Sequence, residues 1–134
     1  MSTLAGSCHC GAVKFTVKSG KPEWLTSCNC SACQRFGALW LHEDASSIEI
    51  EADPDATLAY MWGDNSLTFH TCKICGCTTH WLPVDETSTR MAINARMIPK
   101  EDIADIRVRH LDGADTWQYL TTKRRALTKF ESVA

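Results

Sequence analysis

The stretch Ser27-Cys28-Asn29-Cys30-Ser31-Ala32-Cys33-Gln34-Arg35 brings three thiols into six residues and supplies no fourth. Thiolates so spaced suit zinc, which takes four roughly tetrahedral ligands. A structural zinc draws all four from protein, whereas a catalytic one keeps a position for water or substrate. If Cys28, Cys30 and Cys33 hold an ion by themselves, the empty position is where chemistry occurs.

The other five cysteines fall at positions 8 and 10 and at 72, 75 and 77. Neighbours in a C-x-C make poor disulfide partners, because a disulfide wants Cα atoms roughly 4.4–6.8 Å apart with their Cβ atoms facing. Metal binding tolerates that crowding. Cys72-Lys73-Ile74-Cys75-Gly76-Cys77 has the C-x-x-C-G form of a zinc knuckle, in which glycine permits the sharp turn that aims amides at sulfur. A C-x-C and a distant C-x-x-C are two halves of a closed site, so Cys8, Cys10, Cys72 and Cys75 are expected to hold a structural zinc whose binding energy contributes to folding. Cys77 is left over. Within reach of the three-thiol group it would close that site and leave two structural ions; packed elsewhere as a small apolar residue, it leaves the vacancy open. Counting eight thiols favours closure, while spacing favours the open site, since Cys75 nearby is already committed.

The elements that must position these thiols are short. Residues 6–11 form a tight turn that presents Cys8 and Cys10, and residues 12–18 alternate apolar and polar as a strand with one buried face. Residues 22–26 lead into the three-thiol stretch. A helical turn follows over residues 32–37, stopped by Gly37, and residues 38–42 resume as a central strand. Further strands are predicted at 48–51, 57–62, 67–71 (delivering Cys72), 78–83, 90–94 and 106–111, with turns at Asp53-Pro54-Asp55 and Gly63-Asp64-Asn65-Ser66. Proline and acids at 99–103 predict a short helix. The turn at 112–115 leads to a tail that the pattern does not place. Many short strands with turns between them predict a mainly all-β fold with one or two short helices, in a single domain over 1–134 with its core at about 5–120 and a tail at 121–134.

With 44% hydrophobic residues the chain can build an ordinary core, and its net charge of −2 speaks against a sequence-independent nucleic-acid binder. Lys123-Arg124-Arg125, the dense basic group, reads as a solvated terminal segment. The first residues carry no basic region followed by an apolar run, and no apolar run approaches the ~20 residues of a membrane span. A cytoplasmic protein with neither membrane nor nucleic-acid partner is expected, in a compartment where disulfides are uncommon.

Gly6-Ser7-Cys8-His9-Cys10-Gly11-Ala12-Val13, Cys28-Asn29-Cys30-Ser31-Ala32-Cys33, Phe69-His70-Thr71-Cys72-Lys73-Ile74-Cys75-Gly76 and Ile93-Asn94-Ala95-Arg96 occur in an order and spacing that resemble the glutathione-dependent formaldehyde-activating enzyme family, also called the CENP-V/GFA domain. The resemblance covers roughly residues 5–120. It implies a β-tent (Mss4-like) fold of antiparallel sheets and two zinc ions, a structural one on the first and third cysteine groups and a catalytic one on Cys28, Cys30 and Cys33. The chain differs at Cys77, where the family carries a small non-ligand residue such as threonine or serine.

The activity implied is that of a zinc-dependent carbon–sulfur lyase. Glutathione, the co-substrate, is activated as a thiolate at the open position and condenses with formaldehyde, or the adduct is cleaved in reverse. Three negative sulfurs make zinc a poor Lewis acid, which favours thiol activation over hydrolysis. Glutathione's two carboxylates call for cationic or amide donors, and Arg35, Asn94 and Arg96 are the candidates. Trp24, Trp40, Trp62 and Trp81 would line a pocket or fill the core. His9, His42, His70, His80 and His110 are scattered and read as packed or surface residues, His9 at most donating to a ligating sulfur. Two other readings stand: a non-catalytic protein-binding scaffold with both zinc sites closed, for which Cys77 is the discriminator, and a chromatin adaptor, which the acidic balance opposes. Oligomeric state has no sequence signal.

Overall fold

The structure, a computed structural model, describes residues 3–120; Lys123-Arg124-Arg125 and the tail at 121–134 lie outside the described residues. Eleven strands and two short helices follow one another as β1 Leu4–Ser7, β2 Lys14–Val17, β3 Trp24–Cys28, α1 Ser31–Phe36, β4 Trp40–Asp44, β5 Ile48–Glu51, β6 Thr57–Tyr60, β7 Leu67–Cys72, β8 Thr78–Pro83, β9 Arg90–Asn94, α2 Lys100–Ile103, β10 Arg107–Leu111 and β11 Tyr119–Leu120. Single 3₁₀ turns, Ala45–Ser47 and Ala95–Met97, join β4 to β5 and β9 to α2.

The strands form a small sheet, β1-β2-β5, and a large one, β11-β10-β3-β4-β9-β8-β7-β6. The mainly β expectation holds, and pairing is antiparallel except between β10 and β3, which run parallel from Arg107 beside Trp24 to Leu111 beside Cys28. β4 is central, as its apolar run predicts, between β3 and β9.

Alternation along the large sheet separates two environments. Leu25, Leu41, Met91 and Ile93 point to one face and pack with Leu4, Phe15, Val17 and Ile48 of the small sheet. Each such side chain, fully buried, contributes about 1.5–3 kcal/mol relative to exposure. Cys28, Trp40, Phe69, Trp81 and Ala92 are out of phase with that set and cluster on the other face. The strand period thus places the core on one side and the three-thiol group on the other.

Two strands beside the thiols are absent from the sequence reading. β1 consists of the small residues Leu4-Ala5-Gly6-Ser7 and pairs fully with β2. A Cβ at Gly6 would lie 2.5 Å from the Met97 carbonyl oxygen and 2.8 Å from Phe15 Cζ, so the close approach of this strand requires glycine. β3, expected only as a lead-in, is held by β4, the next strand, and by β10, remote in sequence.

Candidate metal centres

The two outer cysteine groups sit on similar turns. β1 runs through Ser7 into Cys8-His9-Cys10 and turns at Gly11, with φ 86°; β7 ends at Cys72 and the chain turns at Gly76, with φ 81°. Both angles are left-handed, where any Cβ brings strain. Gly11 N–H donates to Cys8 O at 3.1 Å and Gly76 N–H to Cys72 O at 3.0 Å, closing the turns. Val13 N–H donates to Cys8 Sγ at 3.3 Å and Ile74 N–H to Cys72 Sγ at 3.4 Å.

The fold brings the Sγ atoms of Cys8, Cys10, Cys72 and Cys75 within 4.8 Å of one another. Cys10 Sγ stands 3.7 Å from Cys8 Sγ and 3.6 Å from Cys72 Sγ. Sulfurs bound at about 2.3 Å in a tetrahedron are about 3.8 Å apart, whereas a disulfide needs about 2.05 Å, so the set fits a zinc ion and not a cross-link. The Cys75 thiol is pulled down to about 5, chiefly by the backbone N–H of Cys10 and then by that of Cys77, which favours the ligating thiolate.

Cys28, Cys30 and Cys33 form the second group, also within 4.8 Å of one another, and among the described residues no histidine, cysteine or carboxylate joins them. β3 delivers Cys28 at its end. Cys30 caps α1, its sulfur accepting the Cys33 N–H at 3.3 Å, and Gly37 at φ 66° ends the helix as the sequence predicts. Cys28 Sγ accepts the Cys30 N–H at 3.5 Å, and the buried Trp40 indole Nε1–H donates to Cys33 Sγ at 3.3 Å. All three sulfurs are acceptors, the arrangement that a thiolate ligand wants. Cys28 is pulled down to about 6, chiefly by donation from the Cys33 thiol, against the opposing effect of burial. Cys33 is pushed up, first by that same bond to Cys28 and then by burial, while the Trp40 indole opposes. A divalent cation would replace the shared protons. Gly113 packs against this group so closely that a Cβ there would lie 2.5 Å from Cys28 Sγ.

The three sulfurs border a cavity of about 440 Å³. Its wall comes from the site face of the large sheet: Thr26 beside Cys28 on β3, His42 beside Trp40 on β4, Phe69 on β7 and Trp81 on β8, completed by Trp62 and Trp117 from loops. His42 stands edge-on to Trp81, with ring centroids 5.7 Å apart. Burial first, then Arg90 and Arg109, pulls its pKa down to about 4, so the imidazole is neutral at neutral pH.

The remaining expected residues lie elsewhere. Cys77 belongs to neither sulfur group and packs, half-buried, beside Cys8, Val13 and Cys72; the backbone N–H of the exposed His9 reaches its sulfur. Arg35, Asn94 and Arg96 share a separate cleft of about 510 Å³. Asn94 is occupied internally: Oδ1 accepts the Leu39 and Arg96 N–H groups at 3.1 Å each, and Nδ2 donates to Thr78 O at 2.9 Å. Arg96 Nε donates to Gly37 O at 2.7 Å, and Arg35 Nη1 to Ser31 O at 3.0 Å. Arg96 also borders a smaller recess, about 380 Å³, that touches Cys28 and Cys33. Of the tryptophans, Trp40, Trp62 and Trp81 line the cavity, whereas Trp24 lies outside it under the Arg107 guanidinium, 4.2 Å from its centroid.

Thr26, Trp117 and Gly113 line or touch the site and are absent from the sequence reading of it, and His42, expected only as a packed or surface residue, is on the cavity wall. His42 had a signal: two residues after Trp40 in a predicted strand, it must share that side chain's face. Gly113 and Trp117 had none, because their loop reaches the thiols only through the β10–β3 pairing.

Fold and site together define a small β domain built round two metal-type sulfur clusters, one of four thiols and one of three. The chain belongs to the glutathione-dependent formaldehyde-activating enzyme family, which matches residues 3–107. A curated relative from Halomonas elongata is 32% identical over 76 residues, 57% of this chain; its name, glutathione-dependent formaldehyde-activating enzyme, is itself provisional. The match spans 45% of that relative's length. A crystal structure of a Rhodobacter sphaeroides protein shares the fold, with a TM-score of 0.63 at 24% identity over 78% of this chain and 99% of the other. No helix among the described residues is long and apolar enough to cross a membrane.

Proposed function

We propose that the protein is a zinc-dependent carbon–sulfur lyase that joins a thiol to an aldehyde, or cleaves the adduct, at the Cys28–Cys30–Cys33 site. The observation that carries this reading is a three-sulfur group, with no fourth protein ligand among the described residues, bordering a cavity of about 440 Å³. That volume lies within the usual ~300–1,000 Å³ range of small-molecule sites. Zinc bound by three thiolates would supply a vacant coordination position and favour the thiolate form of an incoming thiol.

The chain's own groups serve the rest. Trp40 holds Cys33 through its indole N–H, and Gly113 leaves Cys28 room to turn toward the other sulfurs. His42, neutral and on the cavity wall, is too weak a base to hold the thiol proton, so that proton would leave to solvent and the carbonyl oxygen would take one back from it. The atoms balance: a carbon–sulfur bond forms, the carbonyl becomes a hydroxyl, and the proton lost from sulfur is matched by the one gained on that oxygen. Confining both reactants in one cavity would add the advantage of proximity.

Cys8, Cys10, Cys72 and Cys75 would hold the structural zinc. The scaffold reading requires a fourth side chain at the second group, and Cys77, the residue proposed for it, packs beside the first. Formaldehyde consumption tests the reaction, with glutathione and with a neutral thiol such as 2-mercaptoethanol. Acceleration over the uncatalysed addition with at least one thiol, abolished by Cys30→Ser, is expected. No acceleration with either removes the lyase reading for those two thiols with formaldehyde.

A further inference from the structure

We infer that the thiol accepted at this site carries an apolar or aromatic group and that glutathione, a dicarboxylate peptide, is not the preferred partner. The inference rests on the proposed open site and specifies its substrate class. Around the sulfurs the cavity is walled by Trp62, Trp81, Trp117, Phe69, Leu67 and Leu111. No lysine or arginine is among the described residues bordering it, and the carboxylate among them, Asp64, would repel glutathione. His42 offers no positive charge, since burial keeps it neutral. Arg90 and Arg109, whose charges act on His42, border a separate recess with it, and Arg109 is already engaged: it donates to Thr26 Oγ1 at 3.1 Å and stacks on Tyr119 at 4.2 Å. A carboxylate entering here would lose water and meet no lysine or arginine on the described wall.

Two loops set the entrance, and both are held in position. Trp117 has a left-handed backbone, φ 61°, a conformation that persists in a non-glycine residue only where neighbours impose it. Here they do: Trp117 N–H donates to Asp112 O at 2.7 Å, the Thr116 hydroxyl donates to the Asp112 carboxylate at 3.0 Å, and Asn29, between two of the thiols, binds Asp112 Oδ1 at 3.1 Å and the Ala114 N–H at 3.0 Å. The loop is therefore tied to the metal-site segment, yet its indole is left 68% exposed. On the other loop Trp62 is 37% exposed, with Asn65 left-handed at φ 60°. Two exposed indoles on loops bordering a cavity whose described wall has no lysine or arginine suit an apolar group flanking the reacting sulfur.

Cobalt(II) in place of zinc reports ligand entry through its visible spectrum, independently of turnover. Titration of the cobalt-loaded protein with benzyl mercaptan is expected to reach its midpoint at a concentration at least about tenfold lower than with glutathione. Trp117→Ala and Trp62→Ala, both at exposed positions, are expected to raise the benzyl mercaptan midpoint several-fold with unchanged metal content, and to leave the glutathione midpoint where it is. A glutathione midpoint equal to or below that of benzyl mercaptan would overturn the inference, most plainly if Arg96→Ala weakened it, which would route glutathione through the recess beside Arg96. Unaltered benzyl mercaptan binding in both tryptophan variants would overturn it too. If neither these thiols nor 2-mercaptoethanol changed the spectrum, the open site itself would be refuted, and the substrate class with it.

Discussion

Single atoms decide whether the second sulfur group can hold a metal. Gly113 is the sharpest case: a methyl group there would sit 2.5 Å from Cys28 Sγ, so Gly113→Ala must push either the loop or the thiol. Elemental analysis of the purified variant should show zinc falling from about two per chain toward one, on the two-site assignment, with the β-rich circular dichroism retained. His42 is a second case. It titrates near 6.5 when unfolded and about 4 when folded, so the unfolded chain binds more protons in that window and stability falls as pH drops from 6.5 to 4. Integrated over the window this is about 3 kcal/mol. His80, pulled down to about 3 by burial and then by His70, adds a loss of the same sign. Urea unfolding of His42→Gln at several pH values should therefore show a shallower decline over that range than the parent, not a flat one; an identical slope would place His42 in a more solvated setting.

At the scale of elements, the parts read correctly from sequence are those whose cause is local. Gly37 stops α1, Gly76 turns the C-x-x-C knuckle, alternation marks β2 and an apolar run marks β4, because each depends on a few adjacent residues. β1 is made of small residues, pairs with the neighbouring β2 and packs against Met97 some ninety positions on, and β3 is held by a parallel strand some eighty positions away; no local pattern announces either long-range contact. The candidate site divides in the same way. Its thiols were legible through their spacing and three of its tryptophans by type, whereas Gly113 and Trp117 arrive through tertiary pairing, and Arg35 and Arg96 line other recesses. Gly6 exposes the dependence of β1 on contact: with Met97 O at 2.5 Å and Phe15 Cζ at 2.8 Å from any added Cβ, Gly6→Ala should overpack the strand. A loss of about 1–3 kcal/mol is expected from the shift in denaturant midpoint, and an unshifted midpoint would mean that β1 is not docked as described.

In the whole molecule, the large sheet gives one face to the apolar core and the other to the three-thiol group, the proposed reaction site, so the two can be altered separately. The four-thiol cluster does not share that independence, because it joins turns from both sheets and its metal would act as part of the fold. Cys72→Ser should accordingly reduce soluble yield, while Cys30→Ser should yield folded protein lacking one ion. Diffraction from crystals of the purified protein, recorded on both sides of the zinc absorption edge, would locate the ions and their ligands at once. Two zinc ions are expected, one enclosed by Cys8, Cys10, Cys72 and Cys75 and the other bound by Cys28, Cys30 and Cys33 with its fourth ligand from solvent or a small molecule. A fourth protein side chain on the second ion, or no ion there, would contradict the proposed reaction site.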